Sequence, residues 1–528
     1  IRRSEVRALI PEVMNNPAFR KYLEDAFGPE GAAKVTAALE CPPSVSVRLN
    51  PAKWGDECNG VQEIAGERVA GRVPWCDCGY LLESRPLFTL DPAMHSGAYY
   101  VQDSSSMFVG FVFGQALGKM TGKPEEGGEV ALLKTTQPRT IRVLDLCAAP
   151  GGKTTDIAAR LRGMLGDGFL LVSNEVMKNR VGTLADNVAL WGDPNVVVTS
   201  ADPAAFAGLA GFFDVILTDV PCSGEGMFRK DESAAEQWSE ETVGLCAARQ
   251  RRILADVWPA LAPGGTLIYS TCTFNRIEND ANVGWIASEL GAEIQSIDCP
   301  FEGPMRTEFG FSLAPGYVPG EGQYCAVMRK TGDGTLYAAV TDAQKERPDT
   351  RQQDGRSYGK GKFRKEKLEE RKFEEGKFEK GRPDKRDGSA ASFKELSEMF
   401  STEVSFRVRN ELIIAVPQRV GAELATLEAC LKPIAAGVAA GAMKAGSLVP
   451  SADLALSAIL SPDAFPDAPL DKKAALEFLH RDSIRLEDSP LGYITVSYKG
   501  HRLGFVKNIG SRCNNLHPMS RRILMSLI

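Results

Sequence analysis

Short apolar runs alternate with longer segments of helical periodicity between residues 141 and 330. Two of the helical segments are 176–191 and 241–261, and the second is followed by the stop signal Pro263-Gly264-Gly265. This alternation is typical of a mostly parallel sheet with helices on both faces. We therefore predict an α/β, doubly wound, Rossmann-like core. Its predicted strands are 141–147, 169–173, 195–199, 213–219, 266–271 and 323–328, with 292–297 as a further candidate.

The same pattern divides the chain, which at 528 residues is too long for a single core. Residues 1–90 are mixed and rich in turn signals, and they predict a small N-terminal domain before the core at 91–330. Apolar periodicity fails over 331–390, where charged residues prevail, so we predict a charged flexible linker there. Periodicity returns over 391–528, a predicted C-terminal domain with a hairpin that turns at Lys499-Gly500. We expect the core to fold without this domain.

Two segments outside the core carry positive charge that could meet phosphate. The linker repeats a Lys-Phe pair at 362–363, 372–373 and 377–378, which suits either a solvated spacer or a contact to nucleic-acid bases. The C-terminal end has basic residues with little acid between them, which suits either a phosphate-binding surface or an ordinary exposed face. These residues are Lys499, Arg502, Lys507, Arg512, Arg521 and Arg522.

Composition places the protein among ordinary globular chains. Charged residues make up 25%, the formal net charge is -6, and no apolar run reaches the roughly 18 residues that span a bilayer. The first residues show no secretory signal, so we expect a cytoplasmic protein with no membrane partner. In that setting the 12 irregularly spaced cysteines are thiols rather than a disulfide framework. The close pair Cys76 and Cys78 lacks a second Cys or His pair, so we expect no metal site.

The loop after the first core strand has the composition of a ligand-binding turn. It reads Cys147, Ala148, Ala149, Pro150, Gly151, Gly152 and Lys153, and a helix opens at Thr154. Small residues let a ligand approach the backbone, and doubly wound folds bind ligands at the carboxyl ends of their strands. The rival is a phosphate-binding P-loop, because Gly152-Lys153-Thr154 matches its end. However, Cys147 stands where that motif opens with glycine, so a nucleotide triphosphatase is disfavoured.

Acidic residues follow three consecutive predicted strands at the same edge of the sheet. Glu175 follows the second strand, Asp202 follows the third, and Asp219 ends the fourth. A carboxylate after the second strand typically binds a pair of ribose hydroxyls. One such acid could be a helix cap. Three of them beside a small-residue loop favour a ligand that carries ribose, an amine and a positive charge.

Two cysteines occupy the next positions along this edge. Cys222 follows the fourth strand in Pro221-Cys222-Ser223, and Cys272 follows the fifth. A cysteine is commonly a small buried hydrophobic residue, yet two at adjacent strand ends favour thiol chemistry. Carbon 5 of cytosine is too electron-poor to attack a methyl sulfonium, and thiolate addition at carbon 6 would activate it. A carboxyl group at the N3 edge, for which Asp219 is placed, would stabilise the charge that develops there.

These residues stand in a sequence that resembles the Nol/Nop/Sun-type RNA cytosine-5 methyltransferases, and most closely their bacterial ribosomal RNA branch, the RsmF (YebU) type. The resemblance rests on segments 97–107, 145–153, 219–229 and 269–279, and it covers most of residues 40–330. It implies transfer of a methyl group from S-adenosylmethionine to cytosine in RNA. Ribosomal RNA, free or in a ribosomal subunit, is the expected substrate, and transfer RNA is the alternative. We expect the enzyme to be a monomer.

The resemblance also implies roles for single residues. Cys272 attacks carbon 6, Cys222 helps to release the product, and residues 147–153 with Glu175, Asp202 and Asp219 bind S-adenosylmethionine. It further implies an RNA-contacting N-terminal domain that includes Arg48-Leu49-Asn50-Pro51, and a PUA-like RNA-binding module that closes the chain over 500–522. One departure is the segment 313–319, where the family commonly has an Arg and a His and this chain has neither.

Two other functions stay open at this point. A DNA cytosine-5 methyltransferase also uses a Pro-Cys thiol, but it would make Cys222 the nucleophile and leave Cys272 without a role. A catalytically silent RNA-binding scaffold would keep the same fold. The presence of both thiols together with all three strand-end acids argues against the scaffold.

Overall fold

A computed structural model describes residues 13, 16–122, 139–332, 389–444, 447–486 and 489–526. Most of the predicted linker, 333–388, lies outside the described residues. The helices are α1 Pro17–Leu39, α2 Pro51–Trp54, α3 Pro92–His95, α4 Ser104–Thr121, α5 Gly152–Leu165, α6 Lys178–Trp191, α7 Glu232–Gln237, α8 Glu240–Val257, α9 Asp280–Glu289, α10 Ser389–Ser397, α11 Gly421–Cys430, α12 Ala452–Leu456 and α13 Lys472–His480.

Strands form several sheets. Those before the linker are β1 Val45–Leu49, β2 Glu63–Ile64, β3 Glu67–Arg72, β4 Gly79–Leu82, β5 Tyr99–Val101, β6 Ile141–Asp145, β7 Phe169–Asn174, β8 Val196–Thr199, β9 Phe213–Asp219, β10 Leu261–Thr271, β11 Ala292–Gln295, β12 Met305–Arg306, β13 Phe311–Leu313 and β14 Gln323–Lys330. Those after it are β15 Val404–Arg409, β16 Leu412–Pro417, β17 Ala435–Ala436, β18 Val438–Lys444, β19 Ser447–Pro450, β20 Asp467–Pro469, β21 Gly492–Tyr498, β22 His501–Asn508 and β23 Cys513–Asn515.

The central sheet has the predicted doubly wound arrangement. Its strand order is β12-β13-β14-β10-β9-β6-β7-β8-β17, and β11 also pairs with β14. Strands β6 to β10 are parallel, so their carboxyl ends meet at one edge. All residues of β7 and β8 are buried, as expected for parallel strands covered on both faces. The six predicted core strands and the further candidate are all confirmed.

One predicted boundary is wrong. Helix α8 ends at Val257 rather than near residue 261, and a short turn follows it. Pro263-Gly264-Gly265 therefore lies inside β10, at a register shift against β9 between Leu261 and Thr266. The Pro-Gly signal marks an irregular strand start, because a bulge needs the same backbone freedom as a helix end.

The N-terminal part is helix α1 followed by a five-stranded sheet of order β2-β3-β4-β1-β5. Its strand β5 lies past residue 90, and α4 leads directly from it into the core. Arg48 of β1 is only 2% exposed, and its guanidinium donates to Gln102 Oε1 (2.8 Å) and Thr155 Oγ1 (2.6 Å). Asn50 is 1% exposed and donates to the carbonyls of Gly97 and Trp191. These buried side chains join the sheet to the core and are not exposed to RNA.

The C-terminal part contains two four-stranded sheets, ordered β15-β16-β18-β19 and β20-β21-β22-β23. The predicted hairpin is confirmed as β21 and β22, and Lys499 and Gly500 take the positive φ angles of 49° and 79° that a tight hairpin turn requires. In the described part of the chain, no helix is both long and apolar enough to cross a membrane.

The C-terminal part is packed on the core rather than held at a distance. Strand β17 pairs with the edge strand β8 and extends the central sheet. Apolar residues of β16 and α11, including Leu424 and Leu427, share a buried cluster with Phe206 and Phe213 of the core. The core therefore shares buried apolar surface with the C-terminal part, and its independent folding stays an untested prediction.

The basic residues of the C-terminal end divide into two groups. Arg521 forms ion pairs with Asp186 (2.9 Å) and Asp453 (2.6 Å), and Arg502 donates to the carbonyls of Leu460, Ser461 and Pro462. These two side chains serve internal packing, so neither a phosphate-binding surface nor an ordinary exposed face describes them. The exposed ones are Lys499, Lys507, Arg512 and Arg522.

Candidate active site

The predicted ligand loop lies at the carboxyl edge of the central sheet, between β6 and α5. Gly151 has a φ of 112°, which an L side chain rarely adopts, and Gly152 begins the helix. The Ala148 N–H donates to the Asn174 carbonyl at 2.8 Å and so is used within the fold. The Asn174 side chain also contacts Leu146 and Ala201, so one amide joins the ends of β6, β7 and β8.

A fourth acid, Asp145, lies at the same edge of the sheet, and the sequence analysis predicted no role for it. It is fully buried, and its Oδ2 accepts a hydrogen bond from Thr154 Oγ1 at 2.7 Å. No described residue donates a hydrogen bond to Oδ1. Burial raises the pKa of Asp145 to about 7, although the Thr154 hydrogen bond opposes the shift.

The three predicted acids take different positions. Glu175 is 4% exposed, and its Oε1 accepts a hydrogen bond from the Met177 N–H at 2.9 Å. Asp202 is exposed and caps the turn after β8 by accepting from the Ala204 N–H at 3.0 Å. The helix-cap alternative therefore describes its contacts. Asp219 lies beside the loop, where its Oδ2 accepts from Lys153 Nζ at 2.8 Å.

Asp219 is surrounded by hydrogen-bond donors. Its Oδ1 accepts from Ser270 Oγ at 2.8 Å and from Gln323 Nε2 at 3.2 Å, while Lys153 binds the other oxygen. Burial disfavours the Lys153 charge, but Asp219, Cys272 and Asp145 together outweigh burial and raise the pKa of Lys153. The pair is therefore a carboxylate and an ammonium, held together at the ends of β9 and α5.

The two predicted thiols meet next to this pair. Asp219 and Ser270 are neighbours in the register of β9 and β10, so the loops that follow these strands are adjacent. The sulfurs of Cys222 and Cys272 are 3.1 Å apart. Contact with Cys272 and burial together raise the pKa of Cys222 well above its ordinary value. Cys222 is therefore the thiol that keeps its proton.

Lys153 also interacts with one of the two thiols. The charge on Cys272 is among the interactions that raise the pKa of Lys153. The lysine thus connects Asp219 with Cys272 in the site. Among the described residues, no group of three or more His, Cys, Asp or Glu side chains is arranged to hold a metal ion.

Three family models match successive parts of the chain. Residues 16–104 match the N-terminal domain of 16S rRNA methyltransferase RsmF, residues 130–329 match 16S rRNA methyltransferase RsmB/F, and residues 465–523 match the RsmF PUA domain. The part of the chain over residues 130–329 belongs to the RsmB/F family. The middle match includes the ligand loop and both cysteine loops, and the last match includes the hairpin of β21 and β22.

Similarity to single proteins of this family is substantial but partial. Ribosomal RNA small subunit methyltransferase F of Cronobacter sakazakii is 36% identical over 326 residues, which are 60% of this chain and 63% of that protein. The protein of the same name from Pectobacterium atrosepticum is 38% identical over 309 residues, covering 56% of this chain and 58% of its own length. The chain thus spans about three fifths of the length of these two relatives.

A solved structure shares the fold of this chain. The crystal structure of PH0851 superposes with a TM-score of 0.51 and 22% sequence identity, covering 62% of this chain and 68% of that one. At this identity the likeness concerns the fold alone.

Sequence reasoning missed the residues that surround the thiols. Glu225, Gln250 and Glu278 are at most 1% exposed and contact the cysteine loops through hydrogen bonds. Glu278 lies in the segment 269–279, which resembles the family, but no role was predicted for it. A carboxylate that follows a candidate nucleophile by only a few positions, inside such a segment, is the signal that could have found it.

Proposed function

We propose that this protein transfers a methyl group from S-adenosylmethionine to carbon 5 of a cytosine in ribosomal RNA, through a covalent bond between Cys272 and carbon 6. The observation that carries the proposal is the Cys222–Cys272 pair, 3.1 Å apart beside Lys153 and Asp219 at the carboxyl edge of a methyltransferase sheet. Family membership and the relatives' names support ribosomal RNA methylation. The cytosine and the covalent step rest on the chemistry of the thiols.

The residues at this edge fit S-adenosylmethionine. Glu175 offers a buried carboxylate after β7, where a doubly wound fold binds ribose hydroxyls. Asp145 offers an oxygen, Oδ1, that accepts from none of the described residues and can meet an amine, and Asp219 adds negative charge that suits a sulfonium. The left-handed backbone of Gly151 allows close approach to the loop 147–153. When bound, S-adenosylmethionine supplies an electrophilic methyl group on a positively charged sulfur.

The protein's own groups divide the remaining work. The Cys272 thiolate adds to carbon 6, and the electron pair displaced from the carbon 5–carbon 6 double bond moves toward N3 and the O2 carbonyl. The Lys153 ammonium, held by Asp219, can donate a hydrogen bond to the charge that develops there. Carbon 5, now nucleophilic, would form a bond to the methyl carbon while the bond from that carbon to the sulfonium sulfur breaks and its electron pair stays on the sulfur. A base then takes the carbon 5 proton, the double bond returns, and Cys272 leaves as a thiolate.

Cys222 is assigned to this release step. It lies in contact with Cys272, and its raised pKa keeps it protonated while the neighbouring thiolate attacks. A residue needed only for release can be lost without blocking attack. The DNA-type alternative, in which Cys222 attacks, would require the thiol with the raised pKa to ionise first.

Mutants of the two cysteines test this assignment. Each variant is incubated with S-adenosylmethionine and substrate RNA, and a denaturing gel is inspected for a slow, RNase-sensitive band. Cys272→Ala should lose both methylation and the band, whereas Cys222→Ala should accumulate RNA attached through Cys272. A band with Cys272→Ala alone would reverse the roles. Full activity of both variants would rule out covalent catalysis.

The RNA substrate is tested separately. Bisulfite sequencing of ribosomal and transfer RNA, from cells with and without the gene, should reveal a cytosine in ribosomal RNA whose protection depends on the gene. Protection lost only in transfer RNA would move the substrate to that class. Binding of labelled S-adenosylmethionine without methylation of any RNA would favour the silent scaffold.

A further inference from the structure

A residue of the loop that carries Cys272 fixes the loop that carries Cys222. Glu278, which follows Cys272 by six positions, is fully buried, and its Oε2 accepts a hydrogen bond from the Ser223 N–H at 3.1 Å. Gln250 donates to the same Oε2 at 2.7 Å and to the Pro221 carbonyl at 3.0 Å. The peptide groups on both sides of Cys222 are thus fixed by one buried pair.

In the same way, a residue of the loop that carries Cys222 fixes the loop that carries Cys272. Glu225, which follows Cys222 by three positions, is 1% exposed, and its Oε2 accepts from the N–H groups of Phe274 (2.6 Å) and Asn275 (3.1 Å). The next residue, Gly226, donates its N–H to the Cys272 carbonyl at 2.9 Å. A Cβ at Gly226 would lie 2.9 Å from that carbonyl oxygen, so only glycine permits the approach.

The two glutamates are joined through one amide. Asn275 Nδ2 donates to Glu225 Oε1 at 3.0 Å and to Glu278 Oε1 at 2.9 Å. Trp238 Nε1 completes the shell of Glu225 at 3.0 Å. Every one of these partners is a donor, so both sites require an acceptor on each oxygen. A glutamine would direct its NH2 group at another N–H donor.

We propose that Glu225 and Glu278 form a carboxylate clamp, in which each cysteine loop supplies the glutamate that fixes the other loop and so sets the distance between the two sulfurs. Both are positioning residues, because they act on the backbone next to the thiols and not on the reacting atoms. The part of the proposal that concerns methyl transfer rests on the proposed function. The part that concerns the sulfur geometry does not.

Phenylarsine oxide provides a direct probe of that geometry. Its arsenic binds two neighbouring thiols, with loss of the oxide oxygen and both thiol protons as water. The full-length protein should bind it across Cys222 and Cys272, and peptide mapping after alkylation should show both cysteines protected together. Glu225→Gln and Glu278→Gln should each weaken this bridging by about tenfold or more, because the second sulfur is no longer held at a high effective concentration.

Asp214→Asn is the matched control. Asp214 is also a buried carboxylate of β9, but it begins the strand at the opposite edge, where it pairs with Arg142. This variant should bridge arsenic like the unaltered protein. If a glutamine variant does not fold, as judged by circular dichroism, Glu225→Asp or Glu278→Asp replaces it, since the shorter side chain keeps the charge but withdraws the oxygens.

Methyl transfer gives the second readout. In single-turnover assays the clamp variants should transfer methyl more slowly by about tenfold to a hundredfold, with S-adenosylmethionine affinity unchanged. Normal arsenic bridging in both clamp variants, or no bridging in the unaltered protein, would overturn the clamp. Weakened bridging in a protein that methylates no RNA would uphold the clamp and reject the proposed function.

Discussion

At the scale of single residues, Asp145 links the candidate cofactor site to the pH dependence of folding. Burial raises its pKa to about 7, and its charged neighbours are Asp219, Lys153 and Glu175. Between the ordinary range of an aspartate and about pH 7, the folded protein holds a proton that the unfolded chain has lost. The stabilisation from that proton is complete at low pH and disappears as the pH rises through about 7.

Asp145→Asn should remove this dependence. The amide oxygen can still accept the Thr154 hydrogen bond, but the residue no longer titrates. In denaturant titrations at about pH 5 and about pH 8, the unaltered protein should lose at most about 3 kcal/mol more stability than the variant on going to the higher pH. An identical pH dependence in both proteins would mean that Asp145 titrates near its ordinary value.

Glu175 carries the prediction for cofactor binding. Because a hydrogen bond to a charged group contributes about 1.5 to 3 kcal/mol, Glu175→Ala should weaken S-adenosylmethionine binding by that amount. Glu175→Gln should lose less, since it keeps an acceptor for the Met177 N–H and for one ribose hydroxyl. Calorimetry measures both. An unchanged dissociation constant for Glu175→Ala would place the ribose elsewhere.

At the scale of helices and strands, the sequence predicted what depends on local pattern. The core strands are buried on both faces, so their apolar runs are continuous and easily found. The N-terminal sheet gave no such signal, since β3 alternates between half-buried and exposed positions and β2 has two residues. The Pro263-Gly264-Gly265 signal was found but assigned to a helix end, because it is equally compatible with a strand bulge.

The candidate site was predictable to the same degree. Positions at strand ends followed from the parallel sheet, and these placed Cys222 beside Cys272. The contacts of Glu225 and Glu278 depend on two loops crossing in space, and no spacing along the chain encodes that crossing. Likewise, the sequence placed Arg48 in an RNA-contacting domain, and only the packing of β1 against α5 shows that this side chain is buried.

The prediction at this scale concerns the contribution of Arg48 to stability. It joins β1 to the first turn of α5, lies over the Trp191 ring, and has the buried Asp156 at 3.9 Å. Arg48→Met should cost about 3 kcal/mol or more of unfolding free energy, because it leaves buried acceptors without their donor. The exposed Arg68 of β3 is the control, and Arg68→Met should change stability by less than about 0.5 kcal/mol. Equal effects of the two changes, measured by denaturant unfolding, would contradict the interpretation.

At the scale of the whole molecule, the C-terminal part packs against both the N-terminal sheet and the core. Apolar residues of β21, β22 and α13 share a buried cluster with β1 and β4 of the N-terminal sheet. Residues of β16 and α11 share another cluster with the central sheet, and β17 covers its edge. The N-terminal sheet and the core are therefore both completed by segments that follow the linker.

This arrangement predicts the behaviour of a chain that ends at Lys330. Loss of Val416, Val420, Leu424, Leu427 and Leu431 would uncover the apolar surface that they bury. At about 1.5 to 3 kcal/mol for each side chain, that burial amounts to roughly 10 kcal/mol, which is comparable to the entire stability of a typical domain.

The truncated chain should therefore aggregate, or unfold at a much lower temperature and bind a hydrophobic dye. Residues 389–528, expressed as a separate chain, should restore solubility by covering the same surface, and this tests packing independently of the linker. Arg521→Ala in that separate chain should weaken the rescue, because it removes the ion pair with Asp186 of α6. A soluble truncated protein with an unchanged melting temperature would show that the core is complete at Lys330, and the C-terminal part would then be needed only for RNA.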